Sequence, residues 1–140
     1  MGKLLLTGVD GNLGSQAAEY LLELEPVDNL IFCGYSEAAL QKYADMGVET
    51  HITNFNFSEG LQEAFAGADR LALISMPFVG AKRQNAHKNV VDAAKAAGVK
   101  QVIFTSLVNA RDETNPSVEK KDHIYTENYI KESGLDYIFL

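Results

Sequence analysis

The segment Thr7-Gly8-Val9-Asp10-Gly11-Asn12-Leu13-Gly14 constrains the fold more than any other stretch of the chain. An apolar run, Lys3 to Thr7, leads into it, and a segment of helical periodicity, Asn12 to Leu24, follows. Three glycines at GxxGxxG spacing between a strand and a helix are a relative of the GxGxxG pattern that opens a nucleotide-binding parallel sheet. Gly8 permits the sharp turn off the strand. Gly11 keeps a Cβ away from an approaching pyrophosphate, and Gly14 lets the helix pack close to the sheet. The N–H groups at the helix start, with the positive end of its dipole, then face the phosphates. The competing account is a glycine-rich turn that only packs. Strand before and helix after favour dinucleotide binding.

Strand-like and helical segments alternate through the rest of the chain. Apolar runs at Asn29 to Cys33, Val48 to Thr53, Arg70 to Ser75, Lys100 to Ser106 and Asp136 to Leu140 read as strands. Between them the spacing predicts a helix from Ser36, as cap, to about Met46. Further helices are expected from Ser58 to Ala66, Lys82 to Ala97 and about Glu119 to Ser133. Leu13, Ala17, Leu21 and Leu24 are the expected inward face of the first helix. Ala86, Val90, Ala93, Ala94 and Ala97 are that of the helix at 82–97. The polar stretch Asn109 to Ser117, with Pro116, reads as a loop. The pattern is α/β: a Rossmann-type doubly wound parallel sheet with helices on both faces and strand order 3-2-1-4-5-6.

A chain of 140 residues, 46% hydrophobic, has room for one packed domain, 1–140. Its net charge of −7 argues against binding to a nucleic-acid backbone. The single cysteine, Cys33, excludes an internal disulfide and reads as a small buried thiol. No run approaches the ~20 apolar residues of a membrane span, and the cytoplasm is the simplest location. His51, His87 and His123 lack metal-ligand spacing, so no metal is expected. There is neither a GxSxG elbow nor a Gly-Lys-Ser/Thr phosphate loop. The chain ends inside an apolar strand, which points to a missing C-terminal part.

Nucleotide choice is conventionally set where the second strand ends, by an acid that holds a ribose diol or an arginine that holds a 2′-phosphate. Here that place reads Gly34-Tyr35-Ser36-Glu37, with Glu37 slightly late. Tyr35 lies either against an adenine or at the surface. Lys82-Arg83 opens a helix and either reaches cofactor phosphate or faces water, the latter being preferred.

The runs TGVDGNLG, LALIS, HKNVVDAAKAAGVKQVIFTSL and DHIYTENYIKESGLDYIFL together resemble the NmrA-like branch of the atypical short-chain dehydrogenases/reductases. Within that branch they look most like the bacterial NAD(P)H:quinone oxidoreductases of type 2. The resemblance spans essentially the whole chain. Its most specific part runs from Asn89 through Gly98-Val99 to Thr105-Ser106-Leu107. It implies a Rossmann domain followed by a small substrate domain, so this chain reads as a fragment of a longer protein rather than a shortened relative. It further implies NADP or NAD as cofactor and hydride transfer to a quinone or similar small carbonyl. Some relatives instead bind the dinucleotide without turnover and signal redox state to a partner. A homodimer is compatible with either version.

Carried onto this sequence, the resemblance assigns cofactor contacts to Thr7, Gly8, Gly11, Asn12, Leu13, Gly14, Tyr35, Asn54, Ser75, Met76 and Thr105. Ser106, ending the fifth strand beside the nicotinamide, is a candidate catalytic residue, against the alternative of a serine that closes a strand. His123 is a second candidate, as proton donor or substrate contact, though a helix-start histidine fits it better. Met76 equally suits gap filling. Several positions depart from the family. Tyr35 stands where arginine is common, Ala39 where lysine is frequent, Asn54 where aspartate is frequent, and Asn128 where many relatives carry lysine. Tyr125 is followed four residues later by Tyr129, so the Tyr-x-x-x-Lys pair of related reductases is absent. The bases missing at Tyr35 and Ala39 weaken the expectation of NADPH and favour NAD.

Overall fold

Short apolar runs that alternate their side chains between two faces demand cover on both sides, and the chain supplies it with helices. The computed structural model describes residues 2–106 and 117–140. The strands are β1 (Lys3–Leu6), β2 (Leu30–Gly34), β3 (Glu49–Ile52), β4 (Ala68–Leu73), β5 (Gln101–Phe104) and β6 (Asp136–Phe139). Between them lie α1 (Asn12–Leu24), α2 (Glu37–Asp45), the one-turn α3 (Leu61–Ala64), α4 (Ala81–Ala97) and α5 (Val118–Ser133). The sheet order is β3-β2-β1-β4-β5-β6, as expected, and every pairing is parallel.

The two faces carry separate cores. On β2, Leu30 and Phe32 join Leu6, Ala18, Leu40 and Tyr43 under α1 and α2. Ile31 and Cys33 point the other way and join Leu5, Phe65, Leu71, Val90, Phe104 and Ile130 under α3, α4 and α5. Cys33 is fully buried, and burial, with Glu49 nearby, pushes its thiol pKa up to about 12. It is a packing residue in this fold.

Local chemistry explains most boundaries. Ser36 caps α2 by accepting a hydrogen bond from the Ala39 amide, and Ser117 caps α5 by accepting one from Lys120. Gly98 and Gly134 close α4 and α5 in left-handed conformation. The third helix differs from expectation. It begins after a left-handed Gly60, without side-chain capping from Ser58, and lasts one turn. Its neighbour Gly67 has φ +90, which fits a turn and not a helix. The first helix keeps half of the expected face, since Ala17 and Leu21 pack against the core, and departs from it at the other half. Gly14 and Ala18 are buried, while Leu13 and Leu24 are 55% and 76% exposed. The physical reason is Gly14, which must lie flush against the turn, as described below. Of the expected loop at 109–117, only Ser117 falls among the described residues.

Candidate nucleotide site

In a parallel sheet, every strand ends on the same side, so the connections that leave those ends share one edge. Five of them frame a cleft of about 700 Å³. The β1–α1 turn supplies Gly8, Asp10, Gly11, Asn12, Leu13 and Gly14. Gly34 and Tyr35 come from the end of β2, and Thr53 to Asn56 from beyond β3. Ile74 to Phe78 follow β4, Lys82 opens α4, and Thr105 follows β5. The volume is within the usual range for small-molecule and cofactor sites, about 300–1,000 Å³.

The three loop glycines answer to different constraints. Gly8 has φ +65, which an L side chain rarely adopts. At Gly14 a Cβ would lie 1.7 Å from the Gly8 carbonyl oxygen, so only glycine lets α1 come this close. Gly11 is not required by the chain itself. Its φ of −93 is ordinary, and a Cβ there would meet only the Gly8 oxygen at 3.5 Å. It faces the cleft and, as N-cap of α1, brings no side-chain oxygen to the first-turn amides. A glycine the protein does not need, beside amides the protein does not cap, fits a backbone surface that a diphosphate approaches closely.

Of the expected contact residues, Gly8, Gly11, Asn12, Leu13, Gly14, Tyr35, Asn54, Ser75, Met76 and Thr105 all line the cleft. Thr7 does not. It is fully buried, and its hydroxyl donates to the Ala72 carbonyl and accepts from the Ile74 amide, tying β1 to β4. The Asn54 side-chain oxygen accepts from the Asn56 backbone amide and side chain, so it braces its own turn. Tyr35 is 71% exposed at the cleft rim.

Ser106 and His123, the expected catalytic pair, lie outside the cleft lining. The Ser106 hydroxyl donates to the Glu127 carboxylate on α5, and its amide donates to Leu140. His123 is buried, its Nδ1 donates to the Glu119 carbonyl, and its ring stacks on Phe104 with centroids 5.5 Å apart. Both side chains are engaged within the protein.

The other half of the cleft is shaped by Thr105, an expected contact residue, and by three buried polar groups, Arg83, His87 and Asp122, to which the sequence assigned no such role. The wall Ser75-Met76-Pro77-Phe78 is held through its backbone. Thr105 Oγ1 accepts from the Ser75 amide, His87 Nε2 accepts from the Met76 amide at 3.1 Å, and Arg83 Nε donates to the Phe78 carbonyl. Asp122 closes the segment by accepting from the Gly80 amide and from Gln84. An acceptor at Nε2 makes His87 the Nδ1–H tautomer, which donates to Thr126 Oγ1; Thr126 in turn donates to the Asp122 carbonyl. Desolvation, reinforced by His123 and Arg83, pushes the His87 pKa down to about 3, so the ring is neutral. Arg83 is buried with Asp122 3.6 Å away, which corrects the expectation that Lys82-Arg83 faces water. The signal was present: Arg83 and His87 continue inward the 83-87-90-94 stripe of α4. Lys82 lines the cleft, its ammonium over the Phe78 ring at 4.6 Å.

The histidines His87 and His123, remote in sequence, have ring centroids 6.5 Å apart. Among the described residues no group of three or more His, Cys, Asp or Glu is placed to hold a metal ion. No helix of the described residues is long and apolar enough to cross a membrane.

Comparison with known proteins matches residues 8–140 to the NAD(P)H-binding family. The chain belongs to that family. It is 34% identical over 137 residues to quinone oxidoreductase 2 of Escherichia coli strain K12, covering 98% of this chain and 47% of the relative. It is 30% identical over 142 residues to an NmrA-like family domain-containing oxidoreductase, flvB, of Aspergillus flavus, covering 96% and 45%. Among solved structures, the Citrobacter sp. triphenylmethane reductase complexed with NADP(H) superposes with a TM-score of 0.90 at 33% identity, covering 98% of this chain and 48% of the other. The NmrA-like resemblance seen in the sequence therefore stands, and the chain spans about half the length of these relatives.

Proposed function

We propose that this chain is the dinucleotide-binding domain of an NAD(P)H-dependent oxidoreductase that reduces a quinone or a similar flat carbonyl compound. The observation that carries the reading is the cleft itself, where the glycine turn and the Ser75–Phe78 wall meet at the carboxyl edge of the sheet. The bound dinucleotide would supply hydride; the protein's contribution is position and exclusion of water. Backbone amides at Asn12 and Leu13 would grip the diphosphate. Thr105, Ser75 and Met76 would hold the nicotinamide side, with Ile74, Pro77 and Phe78 limiting access of water. The four side chains that pin the wall keep it in one geometry, which is what orientation for transfer requires. A substrate domain beyond this chain, and a cytoplasmic location, belong to the same reading.

One observation favours the non-catalytic, redox-sensing version. Ser106 and His123 are tied up within the protein, and no histidine or carboxylic acid lines the Ser75–Thr105 end of the cleft among the described residues. Quinones accept hydride with little acid assistance, so the enzyme reading still holds. Full-length protein mixed with NADH or NADPH and a simple quinone, followed at the nicotinamide absorbance band, separates the two. Turnover is the expected result. Saturable binding without turnover across an acceptor panel would favour the sensor, and no binding would overturn both.

A further inference from the structure

An acid from the glycine turn reaches the end of β2 and takes over the donors that select the nucleotide. Asp10 Oδ2 accepts from the Tyr35 amide at 2.8 Å and from the Ser36 amide at 2.9 Å. Gly34 gives this contact room, because a Cβ there would lie 3.3 Å from the Asp10 carboxylate and push it aside by a few tenths of an ångström. The strand end is itself fixed, since Gly34 accepts from the Thr53 amide and Cys33 from the Val9 amide. The Ser36 hydroxyl beside them is used as the α2 cap. Asp10 Oδ1 has no hydrogen-bond partner among the described residues and lines the cleft with Gly34 and Tyr35.

We infer that Asp10 is the residue that sets nucleotide choice, selecting NAD(H) over NADP(H); the inference rests on the dinucleotide reading above. The end of β2 is where a ribose 2′ substituent sits in a sheet of this topology. A 2′-phosphate there needs N–H donors or a cation. The two amides are already satisfied by a carboxylate of the same charge as the phosphate, and Lys82, the one cation lining the cleft among the described residues, opens α4 beyond β4. A ribose hydroxyl needs an acceptor, which the open oxygen of Asp10 provides. Attraction toward the diol and repulsion toward the phosphate act in the same direction. The acid missing from Gly34-Tyr35-Ser36 in the sequence is thus delivered from twenty-five residues upstream.

The test is calorimetric titration of the protein with NADH and NADPH, for the unchanged chain and for Asp10→Asn. The expected result is NADH binding at least 30-fold tighter than NADPH. Asp10→Asn should shrink that ratio at least tenfold, chiefly by tightening NADPH. A second measurement needs no variant: AMP should displace NADH more effectively than adenosine 2′,5′-bisphosphate. Equal affinity for the two nucleotides, tighter NADPH binding, or an Asp10→Asn variant that weakens both equally would overturn the assignment and leave Asp10 as a brace of the turn. Those results leave the dinucleotide reading intact, whereas a folded protein that binds neither nucleotide overturns that reading and this inference with it.

Discussion

The two halves of the cleft are built by opposite means. On the β1–β2 side, the wall is backbone, and what matters is what is left out: Cβ atoms at Gly8, Gly11, Gly14 and Gly34. On the β4–β5 side, the wall is also backbone, but four side chains hold it. Thr105, His87, Arg83 and Asp122 each satisfy one main-chain group between Ser75 and Gly80. The first half gains closeness to a ligand by omission. The second gains rigidity by enclosing polar groups that pair with the main chain, because each would be costly if left alone; Arg83 Nη1 makes no hydrogen bond and has the Asp122 carboxylate 3.6 Å away.

Breaking the first half is expected to have the largest effect. Gly14→Ala places a methyl group against the Gly8 carbonyl and forces α1 off the turn; a loss of about 3 kcal/mol in urea unfolding is expected. A variant of unchanged stability would mean that the close approach of helix and turn is not real.

In the second half, His87→Phe keeps the ring volume but leaves the Met76 amide without its acceptor and Thr126 without its donor. About 2 kcal/mol of stability should be lost. Hydrogen exchange should quicken at Met76 and its neighbours while the Gly8–Gly14 turn stays protected as before. Equal exchange in both halves would show that they are not independent.

A graded effect, absent at neutral pH, follows from the neutral state of His87. Its folded pKa of about 3 lies below the ordinary value of 6.5, so between these values the unfolded chain binds a proton that the native one does not. Stability from this group is complete above pH 6.5 and falls toward pH 3, by about 1.4 kcal/mol per pH unit. His87→Phe should flatten that slope when unfolding free energy is measured against pH. An unaltered slope would assign the acid sensitivity to other groups.

The same contrast governs how much the sequence discloses. Omission leaves a local mark: three glycines in eight residues, after a strand and before a helix, disclose the turn, and the alternation of elements discloses the sheet order. Partnership leaves little mark. His87 meets Met76 and Thr126 only after α4 and α5 have packed, across separations of 11 and 39 residues. The reach of Asp10 to Tyr35 is equally invisible, because a search for the selecting acid along the chain looks after β2 and not before it. Ser106 and His123 were sensible candidates by position, but α5 brings Glu127 to the first and buries the second. On α1, Ala17 and Leu21 pack as their spacing indicates, but Leu13 and Leu24 do not, since hydrophobicity favours them whereas closeness favours Gly14 and Ala18.

The central claim is that the backbone of the β1–α1 turn holds a dinucleotide diphosphate, and Gly11 tests it most directly because the folded chain does not need glycine there. Titration calorimetry with NADH should give saturable binding to the unchanged protein. Gly11→Ala should weaken that binding at least tenfold, with unfolding free energy lowered by no more than the roughly 1 kcal/mol that alanine costs at a helix N-cap. Folded protein that takes up no nucleotide at millimolar concentration, or a Gly11→Ala variant that binds as tightly as its parent, would contradict the account.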